Sequence, residues 1–216
     1  LAFSLFVDWF NPLGNKTSGR QVSIGVFRMF CLNLPPSSHY QMKHTFLAGM
    51  VPAPNQPDMT TISTAKIFCS HVLRPLINQL LVLNCGILIK THRHPEGRKV
   101  IVRLAGLSGD IVANHKVAGF TSHSGTYFCS WCTCKKEDMP NMVPGCLRTR
   151  QDVLAAAHDW KDSETLTQRT KKLKKTGVRW SELNSLPYWD PAKNVILGVM
   201  HNWFEGILAN HFRYRW

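Results

Sequence analysis

Three acidic residues stand where a carboxylate is costly unless something uses it. Asp8 is the only acid in the first 57 positions, and it sits near the end of the apolar run LAFSLFVDWF in a stretch otherwise rich in lysine and arginine. Asp110 follows the apolar and small-residue segment VIVRLAGLSG, and Glu205 lies in VMHNWFEGIL. Taking an unpaired carboxylate out of water costs several kcal/mol. Carboxylates from distant segments that converge can hold two Mg²⁺ ions, about 3.5–4 Å apart, on the attacking and leaving oxygens of a phosphodiester. Mg²⁺ takes hard oxygen ligands, so Asp and Glu are the residue types this chemistry needs. Each acid also has a plainer use. Asp110, directly before IVANHK, is a good helix N-cap, worth about 1 kcal/mol. Glu205 follows His201 by four residues on one helical face, so the two either share a site or form a surface pair.

A second constellation is sulfur. Cys129 and Cys132, as FCSWC, have the spacing of a zinc knuckle, with Cys134, Cys146 and the histidines His115, His123, His201 and His211 within reach of completing it. The competing reading is a thiol pair packed among Tyr127, Phe128 and Trp131. Seven cysteines in a long chain with no visible secretory signal read as reduced thiols, better suited to metal than to disulfides.

Composition narrows the partner. The 216 residues carry 26 Lys+Arg against 13 Asp+Glu, a formal charge of +13. That excess favours a polyanion, nucleic acid before an anionic membrane surface. Hydrophobic content of 44% and seven tryptophans indicate a folded globule. No apolar run approaches the roughly 20 residues of a spanning helix; the longest, Leu76–Ile89, is interrupted by Asn78, Gln79 and Asn84. The opening Leu1 reads as the start of a piece of a longer protein. The run KKLKK at 171–175 is a candidate phosphate contact or nuclear-import signal, with a plain solvated helix face as the alternative, and the turn His92-Arg93-His94 with Arg98 and Lys99 is a further candidate DNA contact. NPLGNKTSG is not a phosphate-binding P-loop, because Phe10 and Asn15 stand where glycines are required.

The elements that must position these groups follow from patterning. Strands are expected over 1–10, 22–34 and around HTFLAGMVP, joined by turns rich in Pro, Gly and Asn. Helical spacing from Thr61 to Asn84 predicts a helix capped by Thr60 or Thr61 and bent at Pro75. The segment 86–110 reads as two strands joined by a basic turn, the second ending at Asp110. A short helix follows, then a polar helical stretch over 150–176, and finally an amphipathic helix over 194–212 bearing His201 and Glu205. The expected class is α/β: a ribonuclease-H-like mixed sheet of three antiparallel strands, a helix and further strands, flanked by helices. Residues 1–120 would form the first part of the core, 121–180 a Cys-containing, partly helical insertion, and 181–216 the core helix with the third acid.

The chain also resembles a known family. DWFNPLGNKTSGRQVSIGV, GDIVANHKVAGFTSHSGTYFCSWC and LPYWDPAKNVILGVMHNWFEGIL resemble, in order and spacing, three blocks of the CACTA (En/Spm-type) transposases, nearest to the transposase-like proteins of mushroom-forming fungi. The resemblance implies a DDE-type DNA transposase that cuts strands at transposon ends and joins the freed 3′-OH to target DNA. It implies Asp8 and Asp110 as the first two catalytic acids, holding Mg²⁺ or Mn²⁺, and Glu205 as the best match to the third, with Asp190 as rival. It also makes the Cys129–Cys132 pair a family feature, expected to bind structural Zn²⁺. DNA as partner, a homo-oligomeric state and a nuclear location belong to the same expectation. In many relatives an acid precedes the Met-His-Asn segment; here Gly198 stands in that place.

Overall fold

In the computed structural model, residues 1–12, 24–39, 41–51 and 73–216 are described. Strict alternation builds the first strand, β1 (Ala2–Phe10): Leu5 and Val7 are wholly buried on one face, while Ser4, Phe6 and Asp8 take the other. β2 (Ile24–Cys31) pairs antiparallel with β1, setting Asp8 opposite Val26 and Phe6 opposite Arg28, and β3 (Thr45–Val51) adds antiparallel to β2. These are the three strands expected from the patterning. The described helix α1 (Arg74–Cys85) buries Ile77 and Leu80. Pro75 lies in the first turn of the described helix. Thr60, Thr61 and the rest of the expected helix before Leu73 lie outside the described residues.

Three expectations need correction. Residues 86–110 form three strands, not two: β4 (Ile87–Thr91) and β5 (His94–Val100) make a separate hairpin, and β6 (Arg103–Gly109) joins the main sheet. The apolar run VIVRLAGL hides the break because the chain changes partners without changing composition. Val102 N–H donates to Leu83 O at the end of α1, and Arg103 N–H donates to Leu1 O. The stretch 150–176 is two helices, α3 (Arg150–Lys161) and α4 (Leu166–Thr176), because Thr165 and Gln168 form a capping box that starts the second. Residues 194–212 are not one helix. Val195–Leu197 form β7, parallel to β6, before a π-helical segment (Met200–Leu208) continues into α5 (Ala209–Arg215). β-branched Val195 and Ile196 favour the strand, and Asn194 anchors it, its carbonyl accepting from Leu107 N–H and its amide donating to Ala105 O.

The main sheet thus runs β3-β2-β1-β6-β7, with β1, β6 and β7 parallel to one another. α1 and α2 (Ile111–Ala118) cover one face, burying Ile77, Leu80, Ala113 and Val117 with Leu5, Val7 and Leu107 in one core. Phe120, Val153, Ala157, Trp160 and Val178 belong to that same cluster, so the segment after residue 120 is packed into the core rather than appended to it. The opposite face of the sheet, carrying Ser4, Phe6, Asp8, Arg28 and Leu47, is open among the described residues, with none of these five buried. Among the described residues no helix is long and apolar enough to cross a membrane.

Candidate active site at the strand ends

Parallel pairing brings the first two acids together. β1 and β6 are in register as Phe6 with Ser108 and Val7 with Gly109, and Asp8 and Asp110 each follow by one residue. The face is fixed by contacts: the Ser4 and Ser108 hydroxyls meet across the strands at 3.3 Å, and Asp8 lines a hollow of about 320 Å³ with Val26, Arg28, Thr45 and Leu47. Asp110 directly follows β6, whose backbone lies about 4.8 Å from that of β1. Among the described residues the half-buried Asp8 carboxylate has no hydrogen-bond or ion-pair partner. Asp110 is a helix cap as expected, its Oδ1 accepting from Ala113 N–H at 2.5 Å.

Two residues that sequence reasoning passed over hold this geometry. Asn114, fully buried, donates from Nδ2 to Gly109 O (3.3 Å) and Ile196 O (2.7 Å), tying the end of β6 to β7. Gly109 has no room for a side chain: a Cβ there would overlap Val7 O and stand 3.2 Å from Asn114 Oδ1. Gly109→Ala is therefore expected to push β1 and β6 apart at the acids and to destabilise the fold by about 1–3 kcal/mol; a melting temperature equal to that of the unaltered chain would contradict this. The only sequence signal for either residue was their place in GDIVANH.

The third acid stands apart. Glu205 Oε2 lies 2.7 Å from His201 Nδ1, with the Glu205 side chain 60% exposed, and no contact joins it to Asp8 or Asp110. The surface-pair use of these two residues is the one realised. His201 itself lines a second hollow on the open face, of about 260 Å³, with Ser4, Phe6, Ser108, Gly109 and Gly198. Asp190 shapes the turn before β7, accepting from Ala192 N–H at 3.0 Å. Because β7 runs parallel to β6, that turn lies at the end of the sheet away from Asp8 and Asp110.

Asp8 and Asp110 are the residues that could hold a divalent cation here. Mg²⁺ is commonly held by one or two carboxylates with waters and substrate phosphate completing its shell. Asp8 and Asp110 supply that much, whereas a two-ion clamp needs further converging carboxylates. Among the described residues no group of three or more His, Cys, Asp or Glu side chains converges as a metal site.

The Cys129–Cys132 pair is a folded knuckle. Trp131 N–H donates to Cys129 Sγ at 3.4 Å, and Arg148 Nε donates to both the Cys129 and Cys132 carbonyls at 3.0 and 3.2 Å. An isolated bridge pairs Cys132 with Leu147. Burial pushes the Cys129 thiol up from its ordinary value. Burial acts in the same direction on Cys132, but hydrogen bonds from the Cys134 backbone, Cys129 and Gly145 and the Arg148 charge outweigh it and hold that thiol below the ordinary value. Cys134 turns its thiol to the Lys135 and Val143 carbonyls, and Cys146 is exposed. The pair could supply two of the four ligands of a structural zinc. In metal-free protein, Cys132 is expected to alkylate with iodoacetamide before Cys129, because the thiolate is the nucleophile. Equal rates by mass spectrometry would remove the distinction.

The basic features divide. Lys172 is held by Asp159 at 2.7 Å, while Lys171, Lys174 and Lys175 remain exposed on α4. His92, Arg93, His94 and Arg98 are exposed around the turn of the β4–β5 hairpin, apart from the main sheet. On the open face, the Arg28 guanidinium stacks 5.0 Å over the Phe6 ring beside Asp8. No protein-family model and no curated protein matches the chain.

Proposed function

We propose that the chain is a ribonuclease-H-like core of the CACTA transposase type, acting on DNA by metal-dependent strand cleavage and strand transfer at transposon ends. The observation that carries the reading is the pairing of Val7 with Gly109, which brings Asp8 and Asp110 side by side at the ends of neighbouring parallel strands. In that fold the acids stand on the first strand and on a strand that follows the first helix; β1 and β6 are the strands read in those roles, β6 coming after the β4–β5 hairpin. A Mg²⁺ or Mn²⁺ ion held there would polarise a phosphodiester oxygen. Arg28 on the same face, with Lys171, Lys174 and Lys175 on α4, would bind phosphates in a salt-sensitive way. The Cys129–Cys132 knuckle would hold a structural zinc with ligands from elsewhere. Nuclear location and self-association at paired DNA ends belong to this proposal.

A second reading, a transposase-derived DNA-binding domain without turnover, is favoured by one observation: Glu205 is engaged by His201 instead of turning to the acid pair. Supercoiled plasmid separates the two. The catalytic reading expects nicked circles in Mn²⁺ and none in EDTA. Intact circles together with salt-sensitive DNA binding would leave the second reading.

A further inference from the structure

Two hollows adjoin on the open face of the main sheet. One holds Asp8 and Arg28; the other is lined by Ser4, Phe6, Phe30, Ser108 and His201, with His39 at its rim. The Arg28 guanidinium stacks 5.0 Å over the Phe6 ring, so this stack is the wall between them. Phe6 precedes Asp8 by two residues on β1, about 7 Å along the strand. Register sets the rest of the second hollow. Ser4 pairs with Phe30 on β2, and its hydroxyl meets that of Ser108 on β6 at 3.3 Å. Phe30 meets Phe6 edge to face, the ring centroids 6.3 Å apart.

The lining combines two chemistries. The phenyl rings offer a stacking surface, while the hydroxyls and imidazoles offer hydrogen bonds in either direction. Glu205 holds His201 through Nδ1 at 2.7 Å, which leaves Nε2 as the nitrogen for a ligand. Among the described residues no carboxylate lines this hollow, so an anionic strand is not repelled from it. Its volume of about 260 Å³ falls below the roughly 300–1,000 Å³ of sites for whole small molecules, which suits a single ring system.

We propose that this hollow is a nucleobase subsite, taking one unstacked base of a DNA strand whose neighbouring phosphate lies at Arg28 and the Asp8–Asp110 pair. This rests on the reading of that pair as the place where the DNA backbone is held. Aromatic side chains accept any base, because every base has a π-face. Polar groups in such a pocket then read the edge of the extruded base. The His201–Glu205 pair gains a use here: the carboxylate fixes the imidazole that meets the base.

The test is the affinity of the whole chain, in EDTA, for a fluorescein-labelled oligothymidylate and for an abasic strand of the same length and charge, read by fluorescence anisotropy. The thymidylate is expected to bind about tenfold more tightly, from the stacking of the held base. Phe6→Leu, which keeps an apolar side chain without the ring, should bring the thymidylate down to the abasic strand and leave abasic binding as it was. His201→Ala, at an exposed position, should weaken thymidylate binding about threefold, again without touching the abasic strand. It decides the matter should Phe6→Leu unfold. Equal binding of the two strands by the unaltered chain, or a preference that survives both substitutions, overturns the subsite. Mn²⁺-dependent nicking by the unaltered chain keeps the two readings apart. Nicking without a base preference removes the subsite and leaves the acid pair. A base preference that is lost in Phe6→Leu, in a chain that does not nick, removes the catalytic reading and leaves the hollow as a base-binding site.

Discussion

Asp8→Asn is expected to abolish Mn²⁺-dependent nicking while leaving the fold intact. The half-buried Asp8 carboxylate has no partner among the described residues, so replacing it with an isosteric amide removes no hydrogen bond or ion pair made to them. The melting temperature should hold or rise slightly, because a partly desolvated charge disappears. Cation binding is worth several kcal/mol of transition-state stabilisation, and each 1.36 kcal/mol is a factor of ten, so nicking should fall on the order of 100-fold or more. Asp110→Asn makes the same separation by a different route. Asn caps a helix about as well as Asp, so the bond from Ala113 N–H can survive while the anionic ligand is lost. Nicking that persists in both variants at the unaltered rate would remove the strand ends from the chemistry.

The second large effect is on stability in acid. His115 is buried in α2 at 2% exposure, its Nδ1 bonded to Thr121 O at 2.8 Å and its ring 5.8 Å from that of Phe120. Burial holds its pKa down to about 4, reinforced by the nearby charges of Arg179, His123 and Arg148 and only partly opposed by the Thr121 carbonyl. In the unfolded chain the same group titrates near 6.5. Between these values the unfolded state binds the extra proton, so stability is full above about pH 6.5 and falls as pH drops toward 4. The loss attributable to this residue is on the order of 3 kcal/mol. His115→Gln, which cannot titrate, should flatten that part of the curve of melting temperature against pH. An unchanged slope between pH 6.5 and 4 would show that the acid sensitivity lies elsewhere.

Much of the sheet was legible in the sequence because its signals are local. Alternation in LAFSLFVDWF and the turn residues after it identified β1, and the same cues located β2 and β3. Asp8 and Asp110 stood out for a related reason: a carboxylate at the end of an apolar strand is chemically out of place. What was missed depends on distant pairing. The split between β5 and β6 is made by Leu83 and Leu1, neither of them near it in sequence. β7 is three residues long and becomes a strand only because β6 offers it an edge. The knuckle was visible as C-x-x-C, but the role of Arg148 in clasping both carbonyls depends on a bridge between Cys132 and Leu147 that no spacing rule announces.

The central claim is that Asp8 and Asp110 form one cation site, and crystals grown with Mn²⁺ test it most directly. The account predicts an anomalous-scattering peak between these two carboxylates on the open face of the sheet. A peak at the His201–Glu205 pair, with none at the ends of β1 and β6, would contradict it.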